Sequence, residues 1–328
     1  MGKKDDFFLN KFPKYYEIKK YLKKMEKKYP RNVRLEDIGC SVEGRPIRMI
    51  VIQEDQRSPK QAVMIEAGIH AREWLTHTTV LYIIQHIVKH QRILRHMDFY
   101  IIPCLNPDGY EYSHKHNRLW RKNMNKNGFK DKTHWGVDLN RNFSYGYGLD
   151  NGSSSDPQSL VYRGPYCLSE PEAQSLASAL YVYGKYIKLY IAIHCYGNTI
   201  MYPWGFTEKP IPDEKDLYDC AVKAQRAMKC AYSKSCFTVG CMSKTVYLSS
   251  GATADYARGA YNIKFSYTME LHKAGKSGFT PRPSMIVNVA KETLVGVLEM
   301  VKYVDRYYKC NTKTYARSRI KLRDRRYE

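Results

Sequence analysis

The chain has 328 residues, enough for one large domain or two small ones whose core forms without disulfides. Its composition is that of a globular protein, and no stretch approaches the roughly 18 uninterrupted apolar residues that a membrane-spanning helix requires. The formal net charge of +22 is far from neutral, and much of it lies in residues 14–34 and 317–328. Such basic segments are typical of proteins that meet nucleic acid, acidic polysaccharide or an anionic membrane surface, although a solvated helix face and a frayed tail would look the same.

The first predicted elements are a helix and three short strands. Residues 14–28 place Tyr15, Ile18, Leu22 and Met25 at helical spacing, which predicts an amphipathic helix. Short apolar runs bounded by charge, proline or glycine then predict strands over 47–53, 61–69 and 97–105.

The rest of the chain alternates between helix and strand. Further helices are expected over 73–90, 169–183, 213–230 and 284–308, and further strands over 186–194 and 263–271. Residues 106–166 are rich in Asn, Gly, Ser, Asp and Tyr, which is loop composition over a stretch too long to be a connection only. Strands alternating with helices predict an α/β fold in which helices sandwich a largely buried sheet. Long loops on such a rigid sheet usually carry function.

A candidate chemical site begins in "MIEAGIHAREW", residues 64–74, where an apolar strand ends at a histidine. His70 and Glu73 follow this strand, and strand ends in open α/β sheets present residues to the ligand crevice. A His/Glu pair three residues apart can place an imidazole nitrogen and a carboxylate on one cation. The pair is a weak signal by itself, because a surface histidine beside a glutamate at a helix N-terminus is a common arrangement.

Two further strands end in residues of the same kinds. His194 closes "LYIAIH" and Glu270 lies in "SYTMEL", so both are expected at the sheet edge that carries His70. Two imidazoles and one carboxylate leave a coordination position open for water, which is the pattern of a catalytic rather than a structural zinc site. Such a site also needs a base for the proton of the water and a cation for the developing oxyanion.

With these motifs the chain resembles the zinc metallocarboxypeptidases of the pancreatic carboxypeptidase A/B type, from about "KYYEI" to "VKYVDRYY". The resemblance implies one α/β catalytic domain over residues 7–310, with a mixed, mostly parallel twisted sheet of about eight strands sandwiched by helices. The active site is then expected at the strand ends, covered by long loops. Residues 1–6 and 311–328 are expected to form an N-terminal tail and a basic C-terminal tail. The implied cofactor is one Zn²⁺, and the implied substrates are the C-termini of peptides and proteins.

The resemblance also carries roles over to individual residues. By "HAREW" and "IAIHCYG" the implied zinc ligands are His70, Glu73 and His194. Glu270 in "TMEL" matches the general base that activates the water. Arg121 in "NRLWRKN" matches the arginine that polarises the scissile carbonyl and stabilises the oxyanion, and Asp138 matches the acid that orients His70.

The substrate-binding positions have counterparts as well. In "GVDLNRNF", Asn140 and Arg141 match the pair that clamps a substrate's terminal carboxylate, and Tyr247 in "TVYLSSG" matches the mobile tyrosine that closes over it. Other positions along the cleft are matched by Arg72, Tyr196 and Phe279. A bidentate arginine beside an amide donor reads a planar free carboxylate well, so Arg141 implies an enzyme that trims chain ends.

By the same resemblance, the pocket for the terminal side chain includes Gly205, Met242, Ala254, Asp255 and Thr268. Family members that release Lys or Arg carry an acid at the position of Ala254, and members that prefer apolar ends carry an aliphatic residue there. The small, neutral alanine predicts a roomy pocket for apolar or aromatic residues. An insertion lies between Asp255 and Glu270, however, and a shift of one residue would bring Asp255 to the pocket floor and give basic specificity.

The remaining expectations concern covalent structure, location and an alternative function. The family's usual disulfide in the middle loop has no counterpart, and Cys195 replaces a small hydroxyl residue beside a zinc ligand. The protein is expected to be a monomer and extracellular, with the signal and prosegment absent from this chain, while a cytosolic location stays open. The second hypothesis is a non-catalytic protein that binds polyanions through its basic ends, against which the intact Glu270 argues.

Overall fold

In a computed structural model, eight strands within the described residues form one sheet with helices on both faces. The residues described are 7–57, 60–126, 135–149 and 152–324, with side chains up to residue 310. The strands are β1 (Val33–Cys40), β2 (Pro46–Ile52), β3 (Ala62–Ala67), β4 (Asp98–Ile102), β5 (Ile187–Cys195), β6 (Thr199–Tyr202), β7 (Thr238–Cys241) and β8 (Phe265–Leu271). The helices are α1 (Tyr15–Lys28), α2 (Trp74–Lys89), α3 (Pro107–Lys115), α4 (Pro171–Tyr183), α5 (Glu214–Ala231), α6 (Met242–Thr245), α7 (Thr253–Tyr261) and α8 (Ile286–Asp324).

The sheet is mixed, with the strand order β1-β2-β4-β3-β5-β8-β6-β7. The central strands β4, β3, β5 and β8 are parallel to one another, so their carboxyl ends meet at one edge. Antiparallel pairing joins β1 to β2, β2 to β4 and β6 to β8, whereas β6 and β7 are parallel. The register of β5 and β8 sets His194 opposite Glu270. These pairings confirm the predicted mixed, mostly parallel sheet.

Two apolar layers fill the space between the sheet and its helices. Successive side chains of a strand point to opposite faces, so Val63 and Ile65 of β3 pack with α1, α2, α5 and α8, while Met64 packs with α4 and α7. The apolar stripe predicted for α1 is buried in the first layer. Helices cover both faces of the central strands, which leaves the carboxyl edge of the sheet and its loops to form a site.

Part of the stretch 106–166 folds as a helix, so the expectation of loop there is wrong for Pro107–Lys115. The Asn106 side chain caps α3 by accepting a hydrogen bond from the backbone N–H of Gly109, and Pro107 occupies the first turn, where a missing N–H costs nothing. The sequence also did not predict β1, β6, β7, α6 or α7, most of which are short.

The helix α8 runs on to Asp324, past the predicted domain boundary at residue 310. Residues 1–6 and 325–328 of the two predicted tails lie outside the described residues. The nine cysteines are free thiols in this structure. Within the described ranges, no helix combines the length and apolar character needed to cross a membrane.

We predict that Ile65→Ala lowers the free energy of unfolding by about 2–5 kcal/mol, because it leaves a cavity in the middle of the fully packed β3 strand. Val182→Ala is the matched control, since Val182 is 53% exposed on α4 and its truncation should change stability by no more than about 0.5 kcal/mol. Urea unfolding followed by circular dichroism measures both changes. Equal effects would contradict the described core.

Candidate active site

Three buried side chains converge at the carboxyl edge of the parallel strands. His70 follows β3, Glu73 immediately precedes α2, and His194 lies near the end of β5. The Glu73 carboxylate lies between the two imidazoles, with Oε1 2.7 Å from His70 Nδ1 and Oε2 3.2 Å from His194 Nδ1. One ligand atom from each residue lies within 4.8 Å of the others. The structure therefore brings together the three residues that the sequence suggested as metal ligands.

The chemistry of this group fits zinc. Two imidazole nitrogens and one carboxylate oxygen form a ligand set of catalytic zinc sites, which keep a fourth position open. His70 Nε2 lies 3.0 Å from Asp138 Oδ1, and this contact orients the ring so that Nδ1 faces the centre of the group. Burial works against ionisation of Glu73, but His70 and His194 hold the pKa of Glu73 well below its usual range. The carboxylate is therefore an anion available to a cation.

Asp138 joins this group to a buried arginine. Its Oδ2 accepts hydrogen bonds from Arg121 Nε at 3.0 Å and Arg121 Nη2 at 2.7 Å, and its Oδ1 accepts from the backbone N–H of Asn140 at 3.0 Å. Burial would raise the pKa of Asp138, but Arg121 and His70 hold it well below its usual range. The two bonds to Asp138 fix the guanidinium and leave Nη1, 3.4 Å from His70 Nδ1, on the cavity side.

Glu270, near the end of β8, lies beside His70, Glu73 and His194, which together are called the metal group below. It is paired with His194 in the register of β5 and β8, and it lines the same cavity. Its Oε2 atom is buried and has no hydrogen-bond partner within the described chain. Burial raises the pKa of Glu270 to about 7, with His194 opposing the shift and Glu73 adding to it. A carboxyl group with a pKa near neutrality can both take up and return a proton.

A group of hydrogen-bond donors also lines the cavity. The Oδ1 atom of Asn140 accepts from the backbone N–H of Thr253 at 2.9 Å, which leaves the amide nitrogen of Asn140 as a donor for a ligand. Arg141 donates from Nε to Gly152 O at 2.6 Å and from Nη1 to Asn140 O at 2.7 Å, so its guanidinium is held while Nη2 is left over. Tyr247 also lines the cavity and is 54% exposed.

A cavity of about 280 Å³ contains most of the residues suggested by the sequence. Those at its wall are His70, Arg72, Glu73, Arg121, Asn140, Arg141, His194, Tyr196, Met242, Tyr247, Thr268, Glu270 and Phe279. Sequence reasoning missed Met201, Val246 and Ser249, which also line it. Val246 and Ser249 flank Tyr247 in "TVYLSSG", so their proximity to that tyrosine was a usable signal. Met201 lies on the short strand β6, which the sequence did not predict.

Three of the expected pocket residues lie behind the cavity wall: Gly205, Ala254 and Asp255. The carboxylate of Asp255 is fully buried and accepts backbone N–H groups from Gly205, at 2.9 Å, and from Phe206, at 3.0 Å. Ala254 is also fully buried. In this structure the oxygens of Asp255 are therefore turned to the backbone of Gly205 and Phe206.

Gly205 is adjacent to the pocket even though it is not part of the wall. A Cβ atom at this position would lie 2.6 Å from Ser249 Oγ and 2.7 Å from Met242 Sδ, closer than such contacts occur. A glycine here therefore lets the chain approach Met242 and Ser249, and so sets the position of the apolar wall.

A buried group of two histidines and one glutamate at the carboxyl edge of an α/β sheet, with a carboxyl base beside it, defines a zinc-dependent hydrolase. Residues 18–296 match the family model described as zinc carboxypeptidase, and the chain belongs to this family. The enzyme is therefore a metallocarboxypeptidase that uses one zinc ion and acts on the C-termini of peptides.

Individual relatives include both types of carboxypeptidase. The chain is 34% identical to carboxypeptidase B of Astacus astacus, over 90% of this chain and 97% of that relative. It is also 34% identical to carboxypeptidase A1 of Bos taurus, over 88% of this chain and 68% of that relative. Among solved structures, bovine thrombin-activatable fibrinolysis inhibitor in complex with tick carboxypeptidase inhibitor superposes with a TM-score of 0.86 at 33% identity, covering 92% of this chain and 99% of that chain.

We predict that Asp138→Asn weakens zinc binding by about 10- to 100-fold, because the His70 ring loses the carboxylate that orients it. The measurement is competition with a fluorescent zinc chelator. Glu208→Gln removes a similar charge from an exposed loop and serves as the control. Equal zinc affinity in Asp138→Asn and the wild type would contradict this role of Asp138.

A second prediction concerns pH and Asp255. Burial raises the pKa of Asp255 from its usual 3.8 to about 7, although the N–H groups of Gly205 and Phe206 oppose the shift. The folded state therefore holds a proton that the unfolded state releases near pH 4, and this contribution to stability is lost as the pH rises from about 4 to 7.

The test is the free energy of unfolding of the wild type and Asp255→Asn in urea at several pH values. The advantage of the wild type should shrink by about 1.4 kcal/mol per pH unit across this window, since the variant lacks the group. A difference between the two proteins that does not change with pH would refute the assignment.

Proposed function

We propose that the protein releases single C-terminal residues with apolar or aromatic side chains. The observation that supports this preference is the pocket wall, which is built from Met201, Met242 and Val246 with Thr268 beside them. Methionine side chains are flexible and polarisable, so such a wall adapts to aliphatic and aromatic groups. No acidic side chain from the described residues, other than Glu73 and Glu270, lines the cavity to hold a terminal Lys or Arg.

We propose the following roles in hydrolysis for the residues around the metal. His70, Glu73 and His194 would hold the zinc ion, which when bound lowers the pKa of a coordinated water and polarises a carbonyl. Glu270 accepts the proton of the attacking water and returns it to the leaving amine, a cycle that a pKa near 7 favours. Arg121 donates from Nη1 to the carbonyl oxygen as negative charge develops there, because its other nitrogens are fixed by Asp138.

We propose that Asn140, Arg141 and Tyr247 recognise the free carboxylate of the substrate. The amide nitrogen of Asn140 and Nη2 of Arg141 can donate to a ligand, because the hydrogen bonds within the described chain use other atoms of these side chains. Charge-assisted hydrogen bonds from arginine to a carboxylate are both strong and directional. Tyr247 then closes the exposed side. A mid-chain peptide has no carboxylate to place here, so this clamp restricts the enzyme to chain ends.

Release of Lys or Arg through Asp255 is the alternative preference. The named relatives include carboxypeptidases of both A and B types, so the family assignment does not decide between them. The bonds from Gly205 and Phe206 favour the apolar preference, because they hold Asp255 away from the cavity.

The test of substrate preference uses matched peptides ending in Phe, Leu, Arg or Glu, with released residues measured by mass spectrometry. We expect release of one residue at a time, loss of release with a zinc chelator, and Phe and Leu preferred over Arg. Asp255→Asn should keep the Phe-to-Arg ratio of the wild type. A strong Arg preference that disappears in this variant would show that Asp255 forms the floor of the pocket.

We predict that Glu270→Gln lowers kcat by at least about 100-fold, because the amide cannot accept the proton of the water. The zinc content of the variant, measured by atomic absorption, should equal that of the wild type, since Glu270 is not expected to be a ligand. Activity within a few-fold of the wild type at full zinc content would refute the proposed role.

We also propose that the outer face of α1 binds acidic polysaccharide. Lys20, Lys23 and Lys27 are exposed on this helix, opposite its buried apolar stripe. The basic residues 317–328 lie where side chains are not described. The test is retention on a heparin column. Retention should fall steeply as the salt concentration rises, and a Lys20→Gln/Lys23→Gln/Lys27→Gln variant should be retained less than the wild type at the same salt concentration. Catalysis by the same chain is compatible with such binding.

The oligomeric state and the location of the protein are further proposals that the family resemblance supports. We propose a monomer in an extracellular location. Light scattering tests the first statement, with a mass near 38.4 kDa expected. Detection of the protein in the culture medium or extracellular fluid of its source, rather than in the cell lysate, tests the second.

A further inference from the structure

Beyond the metal group and the terminal pocket, one rim of the cavity carries positive charge. In the proposed function Asn140 and Arg141 hold the substrate's terminal carboxylate, so the residues that precede the scissile bond contact other parts of the cavity wall. Arg72, Tyr196 and Phe279 belong to this wall and take no part in the carboxylate clamp. The features of this rim decide which upstream sequences the enzyme accepts.

The two cations at this rim, Arg72 and Lys273, form no ion pair with a carboxylate of the described residues. The Arg72 guanidinium lies 4.0 Å from the centre of the Phe279 ring, and the ammonium of Lys273 lies 5.5 Å from the centre of the Tyr196 ring. Neither forms an ion pair within the described parts of the chain, where both contact aromatic rings instead, and Arg72 Nε is buried without a hydrogen-bond partner there. Two positive charges on aromatic faces therefore border the path of the substrate.

A third cation lies directly behind these two. Arg118 donates hydrogen bonds to the carbonyl oxygens of Arg72, at 2.9 Å, and of Phe279, and its guanidinium lies 3.6 Å from the centre of the Trp74 ring. Its bonds go to neutral groups, so its charge also stays uncompensated by a described carboxylate. Burial lowers the pKa of Arg118 to about 10, at which the side chain is still charged at neutral pH.

The rim is rigid enough to place these charges. The turn that carries Phe279 is closed by bonds from Ala274 N to Gly278 O at 2.9 Å and from Thr280 N to Ala274 O at 2.9 Å. Gly278 has a φ of +82°, and a Cβ there would lie 1.7 Å from a Tyr196 ring atom, so the turn packs closely against that ring. Phe279 and Tyr196 have their ring centres 4.9 Å apart.

We propose that the enzyme selects substrates that carry acidic residues within two or three positions upstream of the scissile bond, with Lys273 as a specificity-determining residue. The inference rests on the proposed function, because it uses the direction in which a substrate lies in the cleft. A carboxylate at these positions meets Arg72, Lys273 and Arg118, none of which forms an ion pair with a described carboxylate, whereas a lysine there is repelled. Complementary charge of this kind favours one class of partner over another.

The test compares peptides that share an apolar terminal residue and differ in having Glu, Gln or Lys two or three positions upstream of the scissile bond. The Glu peptide should exceed the Gln peptide in kcat/KM by about threefold to tenfold, and the Lys peptide should be cleaved more slowly than both. Raising the ionic strength from about 20 mM to about 0.5 M should shrink the Glu-to-Gln ratio, because salt screens partly exposed charges.

Two variants with the same change of net charge separate a local effect from the field of the whole molecule. Lys273→Gln removes a charge at the rim and should lower the Glu-to-Gln ratio by at least about twofold. Lys215→Gln should leave the ratio unchanged. Lys215 lies at the opposite edge of the sheet, since its neighbour Asp216 accepts a hydrogen bond from Lys264, which immediately precedes β8.

Failure of this inference and failure of the proposed function would give different results in these experiments. Equal cleavage of the Glu and Gln peptides would overturn the inference while leaving the carboxypeptidase assignment intact. Equal loss of the ratio in Lys215→Gln and Lys273→Gln would also overturn it, because the net charge of +22 would then be the cause. Failure to cleave any of the peptides, with zinc bound, would instead refute the proposed preference for apolar ends.

Discussion

The buried carboxylate of Glu73 between two imidazoles is the constraint on which the rest of the site depends. An ionised carboxylate inside a protein is stable only when positive or donor groups compensate it, and here His70, His194 and the backbone N–H of Cys195 surround it. A dication would compensate it further. The parallel strands β3 and β5 supply the two histidines, because neighbouring parallel strands end at the same edge of the sheet.

The same edge of the sheet also positions the residues that surround the metal group. Glu270 lies next to the metal group by strand register, whereas Arg121 is placed by Asp138, which also orients His70. Asp138 therefore links His70 of the metal group to Arg121, the residue proposed for carbonyl polarisation. A change in the position of one of these two side chains is thus expected to alter the position of the other. In the proposed function, the direction of the substrate is set by the carboxylate donors Asn140 and Arg141, and the cationic aromatic rim meets the residues that precede the scissile bond.

The sequence was most informative where chemistry and strand ends coincide. His70, His194 and Glu270 each follow an apolar run, so both their type and their position were visible, and the resemblance to the family supplied their partners. The preference of the pocket was less visible, because it depends on which way Asp255 faces. That direction is decided by the N–H groups of Gly205 and Phe206, some 50 residues earlier. Met201 was missed for a different reason: β6 has only four residues, too few to show a periodic pattern in the sequence.

X-ray diffraction from crystals of the zinc-loaded enzyme, with anomalous data collected at the zinc absorption edge, would locate the metal ion. If His70, Glu73 and His194 are its ligands, we expect one strong anomalous peak about 2.0–2.2 Å from His70 Nδ1, His194 Nδ1 and a carboxylate oxygen of Glu73. A peak ligated by Cys195 or by the Nε2 atoms of the histidines, or no peak between these three residues, would contradict this ligand set.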